Sequence, residues 1–155
     1  MPQLSLHSPI GPLTLTEEEG KIISLDWGWG RDQTETSMLC AARDWLNTWF
    51  DEPKAAGPFP FPLEPMFGTD YQKRVWNALC AIPVGTVTTY QALAKEVGGS
   101  ARSVGQAVGR NPIPILIPCH RVVSQNGLGG YSGDGGVDDK RWLLNLEGAS
   151  IPSRD

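Results

Sequence analysis

The first third of the chain alternates short apolar runs with polar turns and then changes to a longer period. Residues 4 to 6, 13 to 16 and 22 to 27 are β-prone runs separated by turns rich in Pro, Gly and Glu, which favours a small antiparallel sheet. Between residues 38 and 50, apolar side chains recur every three or four positions, as they do on one face of a helix. This pattern predicts an N-terminal α/β domain over residues 1 to 55.

Prolines then interrupt the periodic pattern. The stretch from residue 51 to residue 68 holds five prolines and two glycines, with few apolar positions at regular spacing. Proline removes a backbone donor and fixes φ, so such a stretch favours a surface connection over a helix or a strand. We therefore predict a connector over residues 56 to 68 and a second domain over residues 69 to 150.

The second domain begins with three helix signals in succession. Residues 69 to 72, Thr-Asp-Tyr-Gln, fit a capping box and open a helix that stops before Pro83. Residues 88 to 91, Thr-Thr-Tyr-Gln, fit a second capping box, and Ser100 caps a third helix over residues 101 to 110. Only a two-glycine turn separates the last two helices, which predicts a helix-turn-helix. The fold class is therefore α+β, with a mainly helical, winged-helix-like second domain.

The last of these helices has an unusual composition. Gly105 and Gly109 lie inside it, and each costs roughly 1 kcal/mol relative to Ala in a helix. Arg102, Gln106 and Arg110 recur at four-residue spacing along one side. Such a thin, cationic helix can enter a groove of a nucleic acid. Tight packing between helices, with the charged side left in water, explains the same residues, and the sequence leaves both interpretations open.

Charge is distributed unevenly along the chain, which changes what the net charge of −4 implies. Residues 1 to 70 carry four Lys/Arg and eleven Asp/Glu, whereas residues 71 to 125 carry six Lys/Arg and one Asp/Glu. The basic middle segment suits contact with phosphate. No apolar run approaches the roughly 18 residues of a membrane span and no signal segment opens the chain, so we expect a cytoplasmic protein.

Cysteine usage gives no sign of a disulfide framework or a metal site. The three cysteines, Cys40, Cys80 and Cys119, include no CxxC spacing, and no cluster of Cys and His accompanies them. Cys80 falls on the predicted apolar face of its helix and is expected to be structural. We therefore predict no metal and no cofactor.

A proline-rich segment, residues 111 to 123, presents Cys119 and His120 at a defined point of the chain. Its prolines exclude a long helix and restrict the backbone, as expected where a reactive thiol must be held in place. A buried, inert cysteine beside a solvated histidine is the alternative, because free cysteine is among the most buried residues. The dipeptide alone would favour that alternative.

Glu147 breaks two local rules, which makes it a candidate functional residue. It follows Leu143 by four positions, on or beside the apolar side of a last helix that starts at Asp138 or Asp139. It also lies in the final turn, before Gly148, where the helix dipole disfavours a negative charge. An exposed terminal carboxylate is the alternative interpretation.

From residue 69 to residue 148 the chain resembles the O6-alkylguanine-DNA alkyltransferases, also called methylated-DNA–protein-cysteine methyltransferases. The most specific match is Pro-Cys-His-Arg-Val at residues 118 to 122, preceded by Asn111 and Pro112. The remaining matches stand in family order at residues 75–76, 82–87, 90–94, 102–105, 130–133, 143–144 and 147–148. This resemblance favours a reactive Cys119 over a buried, inert one, and it implies direct-reversal repair of DNA.

The resemblance implies roles for five catalytic residues. Cys119 is implied to be the acceptor thiolate, His120 its base through a bound water, and Glu147 the group that orients and charges His120. Asn111 is implied to hold the hinge between the recognition helix and the Cys119 segment. Tyr90 is implied to donate its phenolic proton to the purine ring as guanine leaves.

The implied partner is double-stranded DNA containing O6-alkylguanine. Arg102 matches the family's finger, which fills the gap left when the target nucleotide is flipped out of the duplex. The further residues implied to contact DNA are Tyr90, Gln91, Ala101, Ser103, Gln106 and Arg110. The residues implied to line the pocket for the base are Cys119, Val122, Tyr131 and Ser132. The protein is expected to act as a monomer without an obligate protein partner.

Two other functions remain open at this point. A non-enzymatic, alkyltransferase-like protein would recognise lesions without repairing them, but that class replaces the acceptor cysteine, whereas this chain has Cys119. A thiol hydrolase would use Cys119, His120 and Glu147 over many turnovers. It explains neither the helix-turn-helix nor Arg102. The loop at residues 134 to 139 is also longer and more acidic than the family pattern, which puts the pocket wall in question.

Overall fold

The computed structural model describes residues 1–130 and 136–150, and the chain divides into two compact units. Unit 1, Met1–Phe67, combines an antiparallel sheet with a long helix, and unit 2, Gly68–Asp155, is mainly helical. This arrangement confirms the α+β class predicted from the sequence.

Unit 1 is built on a three-stranded antiparallel sheet in the order of the chain. Its strands are β1 (Gln3–Leu6), β2 (Leu13–Glu18) and β3 (Lys21–Trp27), followed by helices α1 (Ser37–Asp51) and α2 (Pro53–Ala56). Leu15 of β2 lies opposite Leu4 of β1 and Leu25 of β3, and all three are buried. The alternation of apolar residues thus sets the register, since a slip of one residue would turn these side chains to the other face.

The proline-rich segment after α2 belongs largely to unit 1. The N–H of Ile22 in β3 donates to the carbonyl of Pro62 at 3.0 Å, and the carbonyl of Ile22 accepts from the N–H of Glu64 at 2.9 Å. The boundary between the units falls after Phe67, within the segment predicted as a connector. Composition gives no sign of these hydrogen bonds, because they depend on β3 having an open edge.

Unit 2 contains the predicted helix-turn-helix. Its helices are α3 (Asp70–Cys80), α4 (Tyr90–Val97), α5 (Ala101–Gly109) and α6 (Val137–Glu147). The indole N–H of Trp76 in α3 donates to the carbonyl of Ala107 in α5 at 2.8 Å, and both residues are buried. Burying a large side chain of this kind stabilises the fold by roughly 1.5 to 3 kcal/mol, so this contact is a principal attachment of α5.

Helix caps explain where the helices of unit 2 begin. The predicted capping box at α3 is confirmed, because Thr69 and Gln72 exchange side-chain hydrogen bonds with each other's backbone N–H groups at 3.1 and 3.0 Å. The capping box predicted at Thr88 is wrong. Thr89 caps α4 instead, and its side chain accepts from the N–H of Ala92 at 3.0 Å.

That strand joins distant parts of unit 2. Strand β4 (Thr88–Thr89) pairs in parallel with β5 (Val122–Val123), and a 3₁₀ turn, Cys119–Arg121, immediately precedes β5. Tyr90 starts α4 directly after β4. The pairing therefore brings the start of the helix-turn-helix next to the segment that carries the candidate nucleophile.

Cys80 is exposed, so its assignment to the buried face of α3 is wrong; Val75, Trp76 and Leu79 form that face.

Among residues 1–130 and 136–150, no helix has both the length and the apolar character needed to span a membrane.

Candidate active site and helix-turn-helix

Cys119 lies almost fully buried at the start of the 3₁₀ turn, with 3% of its surface exposed. Asn111 fixes the loop before it from both sides. Its side-chain amide donates to the carbonyl of Ile117 at 2.8 Å, and its side-chain oxygen accepts from the N–H of Ile113 at 2.9 Å. Both bonds are buried, so Asn111 holds the loop that leads to the cysteine.

The same loop contains a strained residue that the sequence did not reveal. Ile115 has φ +72°, a left-handed conformation that is rare for a β-branched side chain and costs of order 1 to 3 kcal/mol. The thiolate form of Cys119 is favoured by a hydrogen bond from the backbone of Ile115. Strain at this residue therefore accompanies a backbone donor directed at the candidate nucleophile.

The electrostatic environment of Cys119 contains opposing effects. Burial raises the pKa of its thiol, because the charged thiolate is poorly solvated there. A side-chain hydrogen bond from Asn111 and the positive charge of Lys140 act in the other direction, together with backbone hydrogen bonds. The net pKa is raised, so the thiol needs a base to ionise near neutral pH.

His120, which directly follows Cys119, forms a buried pair with Glu147 at the end of α6. Nε2 of His120 lies 3.1 Å from Oε1 of Glu147, and both side chains are fully buried. Burial lowers the pKa of His120, while its hydrogen bond to Glu147 acts in the opposite direction. A carboxylate only accepts, so the neutral imidazole carries its proton on Nε2 and keeps its basic lone pair on Nδ1.

Arg121 is a functional candidate that the sequence analysis missed. Its Nε donates to Oε1 of Glu147 at 3.0 Å, its Nη2 donates to Oε2 at 2.5 Å, and its Nη1 donates to the carbonyl of Ile82 at 2.6 Å. Burial alone would raise the pKa of Glu147, but hydrogen bonds from His120 and Arg121 more than offset it and leave that pKa lowered. Arg121 lies within the Pro-Cys-His-Arg-Val motif at residues 118 to 122, and that motif is the sequence signal that could have identified it.

Lys140 is the second residue that the sequence analysis missed. Its side chain is fully buried, and its Nζ donates to the carbonyl of Gly130 at 3.0 Å and to the hydroxyl of Tyr90 at 3.5 Å. Burial lowers the pKa of Lys140 from 10.5 to about 8, and the negative charge of Cys119 opposes that shift. A lysine in the second turn of a polar helix gives no sequence signal of burial.

Tyr90 lies between these groups at the start of α4. Burial and then the charge of Cys119 raise the pKa of its phenol, so the hydroxyl stays protonated at neutral pH. Gly129, at φ +74°, allows close approach of the ring, since a Cβ there would lie 2.9 Å from Tyr90. We call Cys119, His120, Arg121, Lys140 and Glu147 the chemical centre, and Tyr90 adjoins it.

The predicted DNA-contacting residues lie on the two helices of the motif. Arg102 and Gln106 are exposed on α5 and Arg110 is exposed at its C-cap, and we call these three residues the cationic face; Gln91 is exposed in the first turn of α4. Ala101 is partly buried, and so is Ser103, whose hydroxyl takes part in hydrogen bonds within the protein.

The glycines of α5 are not required by packing. A Cβ on Gly105 would meet the Tyr90 ring at 3.8 Å, an ordinary contact, and a Cβ on Gly109 would meet no atom within 4 Å among the described residues. Tight packing among the described residues therefore does not explain these two glycines, and the approach of α5 to a groove stays a prediction.

The predicted base-binding residues are only partly within the described structure. Val122 is fully buried in β5, and its N–H donates to the carbonyl of Cys119. Tyr131 and Ser132 lie outside the described residues, as does the first part of the acidic loop at residues 134 to 139.

A helix-turn-helix with an exposed cationic face, joined in one unit to a buried thiol beside a His–Glu pair, defines a DNA-binding protein built for thiol chemistry. The family model described as 6-O-methylguanine DNA methyltransferase, DNA binding domain, matches residues 70–149. The chain is 39% identical to a methylated-DNA–protein-cysteine methyltransferase of Mycobacterium bovis, covering 96% of this chain and 93% of that protein. A relative with the same description from Metallosphaera sedula is 39% identical, covering 93% and 91%.

Among solved structures, the chain is similar to Mycobacterium tuberculosis OGT in complex with DNA. The TM-score is 0.83 at 37% sequence identity, covering 99% of this chain and 97% of that one. The chain therefore belongs to the methylated-DNA–protein-cysteine methyltransferase family, which confirms the resemblance drawn from the sequence.

Proposed function

We propose that the protein repairs DNA by direct reversal, transferring the alkyl group of O6-alkylguanine in duplex DNA once and irreversibly to Cys119. Family membership supports the reaction, and the burial of Cys119 beside the His120–Glu147 pair is the observation that carries the assignment of the acceptor. A raised thiol pKa requires a base, and a neutral histidine oriented by a carboxylate is suited to that role.

In the proposed reaction, His120 accepts the thiol proton of Cys119 through a water molecule, and the thiolate attacks the alkyl carbon. The S–C bond forms as the bond between that carbon and O6 breaks, and its electron pair moves into the guanine ring. Tyr90 donates a proton to the ring, so that neutral guanine leaves. The positive charge of Lys140, whose Nζ lies 3.5 Å from the Tyr90 oxygen, stabilises the phenolate that results.

The chain's helix-turn-helix supplies the proposed access to the lesion. A base in a duplex must be extruded before a buried thiol can reach it, and Arg102 is proposed to fill the vacated position. Cations of α5 contact phosphates without reading sequence, which suits repair at any site. Asn111 holds the nucleophile loop. Tyr131 and Ser132, with the carbonyls of Cys119 and Val122, are proposed to read the guanine edge.

The alkyl group, the monomeric state and the cytoplasmic location stay predictions. The specificity for O6-alkylguanine is predicted from the family resemblance, which assigns Tyr131 and Ser132 to the pocket wall.

Mass spectrometry of the intact protein tests the proposal. After incubation with duplex DNA containing O6-methylguanine, we expect a gain of about 14 Da, one methyl replacing one hydrogen, on the peptide that holds Cys119. A thioether has no carbonyl for water to attack, so each molecule acts once. Exposed Cys80 serves as an internal control, because it should stay unmodified although it is more accessible than Cys119.

The Cys119→Ser variant is the matched control and should gain no mass. Multiple turnovers per protein would support a thiol hydrolase instead. Tight binding of the lesion with no change in mass would support a protein that only recognises damage.

A further inference from the structure

Tyr71 on α3 makes contacts that reach the first turn of α5. Its hydroxyl lies 2.8 Å from the carbonyl of Gly98, to which it donates, and 2.9 Å from the hydroxyl of Ser103. Ser103 in turn accepts from the N–H of Ser100 at 2.9 Å, as one half of the capping box that starts α5. One phenol thus connects α3, the turn of the helix-turn-helix and the beginning of the helix that carries Arg102.

Proton counting fixes the direction of one of these bonds. The Tyr71 hydroxyl has one proton, and the carbonyl of Gly98 can only accept, so the phenol donates there. The hydroxyl of Ser103 accepts the N–H of Ser100, and its own proton has two acceptors within reach, the phenol oxygen at 2.9 Å and the carbonyl of Ser100 at 3.0 Å. Removing the phenol oxygen would therefore take a donor from the carbonyl of Gly98 and leave the hydroxyl of Ser103 only the carbonyl of Ser100 as an acceptor among these groups.

The turn itself shows why such a contact matters. Gly98 and Gly99 have φ of +94° and +86°, so two of the three residues between α4 and α5 are glycines, the residue with the greatest backbone freedom. A Cβ on Gly99 would lie 2.5 Å from the Tyr71 oxygen, so glycine is required for the phenol to approach this closely. A flexible turn cannot fix the direction of α5 by itself.

A second side chain of α3 supports the same turn. Nε of Arg74 donates to the carbonyl of Val97, the last residue of α4, at 3.0 Å, and its guanidinium lies 5.1 Å from the centre of the Tyr71 ring. The Trp76 contact holds α5 near Ala107, toward its other end. The buried side chains of α5, Val104, Ala107 and Val108, hold its inner face. Tyr71 adds a polar attachment in the first turn, where Arg102 lies.

We propose that Tyr71 is a positioning residue that fixes the N-terminal turn of α5 and thereby aims Arg102 into the duplex. This inference rests on the proposed function, because aiming matters only if Arg102 replaces a flipped nucleotide. The hydroxyl, not the ring, carries the role.

The Tyr71→Phe variant tests the proposal, since it keeps the ring over Arg74 and removes only the hydroxyl. Two substrates are compared, namely methylated duplex DNA and the free base O6-methylguanine, which needs no flipping. We expect the rate of methyl transfer from the duplex to fall by about fivefold, the effect of one hydrogen bond, and the rate from the free base to stay unchanged.

Two further variants complete the design. Ser8→Ala removes a hydroxyl-to-carbonyl hydrogen bond from unit 1, to Gly11, and should change neither rate. Ser103→Ala should slow transfer from the duplex, and adding Tyr71→Phe to it should slow transfer less than the product of the separate effects, because the two hydroxyls share one bond.

The outcomes separate this inference from the proposed function. If Tyr71→Phe transfers from duplex DNA as fast as the wild type, or slows both substrates equally, Tyr71 does not aim Arg102 and the inference is wrong. If the wild type transfers from neither substrate, the proposed function itself fails.

Discussion

The chemical centre and the cationic face lie in the same unit but hold their charges in opposite ways. In the chemical centre, His120, Lys140 and Glu147 are fully buried or nearly so, and Arg121 is 11% exposed. On the cationic face, Arg102 and Arg110 are exposed. The first arrangement removes charges from water and makes each depend on its neighbours. The second leaves each cation solvated and independent.

This difference predicts where a single substitution should change both the fold and the chemistry, and where its effect should be confined to DNA binding. A buried charge that loses its partner keeps its desolvation cost without compensation, so the fold and the chemistry suffer together. An exposed cation contributes mainly to attraction for phosphate, which salt screens. The comparison predicts linked effects in the chemical centre and separable effects on α5.

Glu147→Gln should have the largest effect. The amide removes the charge that both Arg121 and His120 contact, so the free energy of unfolding should fall by about 3 to 5 kcal/mol. The pKa of the Cys119 thiol, measured by its rate of alkylation across pH, should rise because protonated His120 loses its counterion.

The double variant Glu147→Gln with Arg121→Met separates the two effects. Removing the unpaired cation should recover part of the lost stability, while the thiol pKa stays raised. An unchanged thiol pKa in Glu147→Gln would remove Glu147 from the mechanism, whatever happens to the stability.

Lys140→Met tests the buried cation through the pH dependence of stability. The native pKa of Lys140 is about 8, below its ordinary value of 10.5, so between these two pH values the unfolded chain binds more protons and this lysine makes stability rise with pH. Tyr90 and Cys119, whose pKa values are raised, contribute with the opposite sign.

The readout is therefore a difference between two proteins measured by chemical denaturation from pH 7.5 to pH 10. The wild-type stability should increase relative to that of Lys140→Met across this range. Parallel curves would show that burial does not hold down the pKa of Lys140.

Arg102→Ala should act on DNA and leave the fold unchanged. We expect methyl transfer from duplex DNA to slow by about tenfold, while transfer from the free base and thermal stability stay the same. Arg43→Ala, which removes a partly exposed cation paired with Asp44 from α1 of unit 1, is the charge-matched control. If Arg102→Ala bound and repaired methylated duplex as fast as the wild type, its assignment as the finger would be wrong.

Gly109→Ala should have the smallest effect and opposite consequences for fold and binding. Alanine is favoured in a helix, and a Cβ there meets no described atom, so stability should increase by about 0.5 to 1 kcal/mol. The added methyl should weaken binding to duplex DNA, measured by fluorescence anisotropy. Stabilisation without weaker binding would show that α5 does not need to be thin there.

Motifs and caps were predictable from the sequence where local rules decide the outcome. Thr69 and Ser100 start their helices as predicted, and Glu147 was identified because it breaks two helix rules. Thr88 was misassigned because two adjacent threonines offer the same capping chemistry, and Thr89 is the one that caps α4. Cys80 was misassigned because helical spacing alone left its side of α3 ambiguous.

The contacts of cations were the least predictable part of the site. Arg121 and Lys140 have ordinary sequence surroundings, and a basic residue is normally exposed. Their burial depends on the carbonyls of Ile82 and Gly130, which the fold brings from other segments. No periodicity records such partners. The burial of these two cations therefore depends on long-range hydrogen bonds, which local sequence patterns do not indicate.

The pairing of β4 with β5 fixes the position of Tyr90 relative to Cys119. Two residue pairs, Thr88 with Val122 and Thr89 with Val123, join the strands; Tyr90 directly follows β4, and Cys119 lies three residues before β5. A one-residue change in register would shift the proposed proton donor relative to the nucleophile by about 3.3 Å. The register of the strands can change only in steps of one residue, and each step would displace Tyr90 relative to Cys119. An insertion or deletion between these strands and their functional residues would therefore be harder to accommodate than most substitutions.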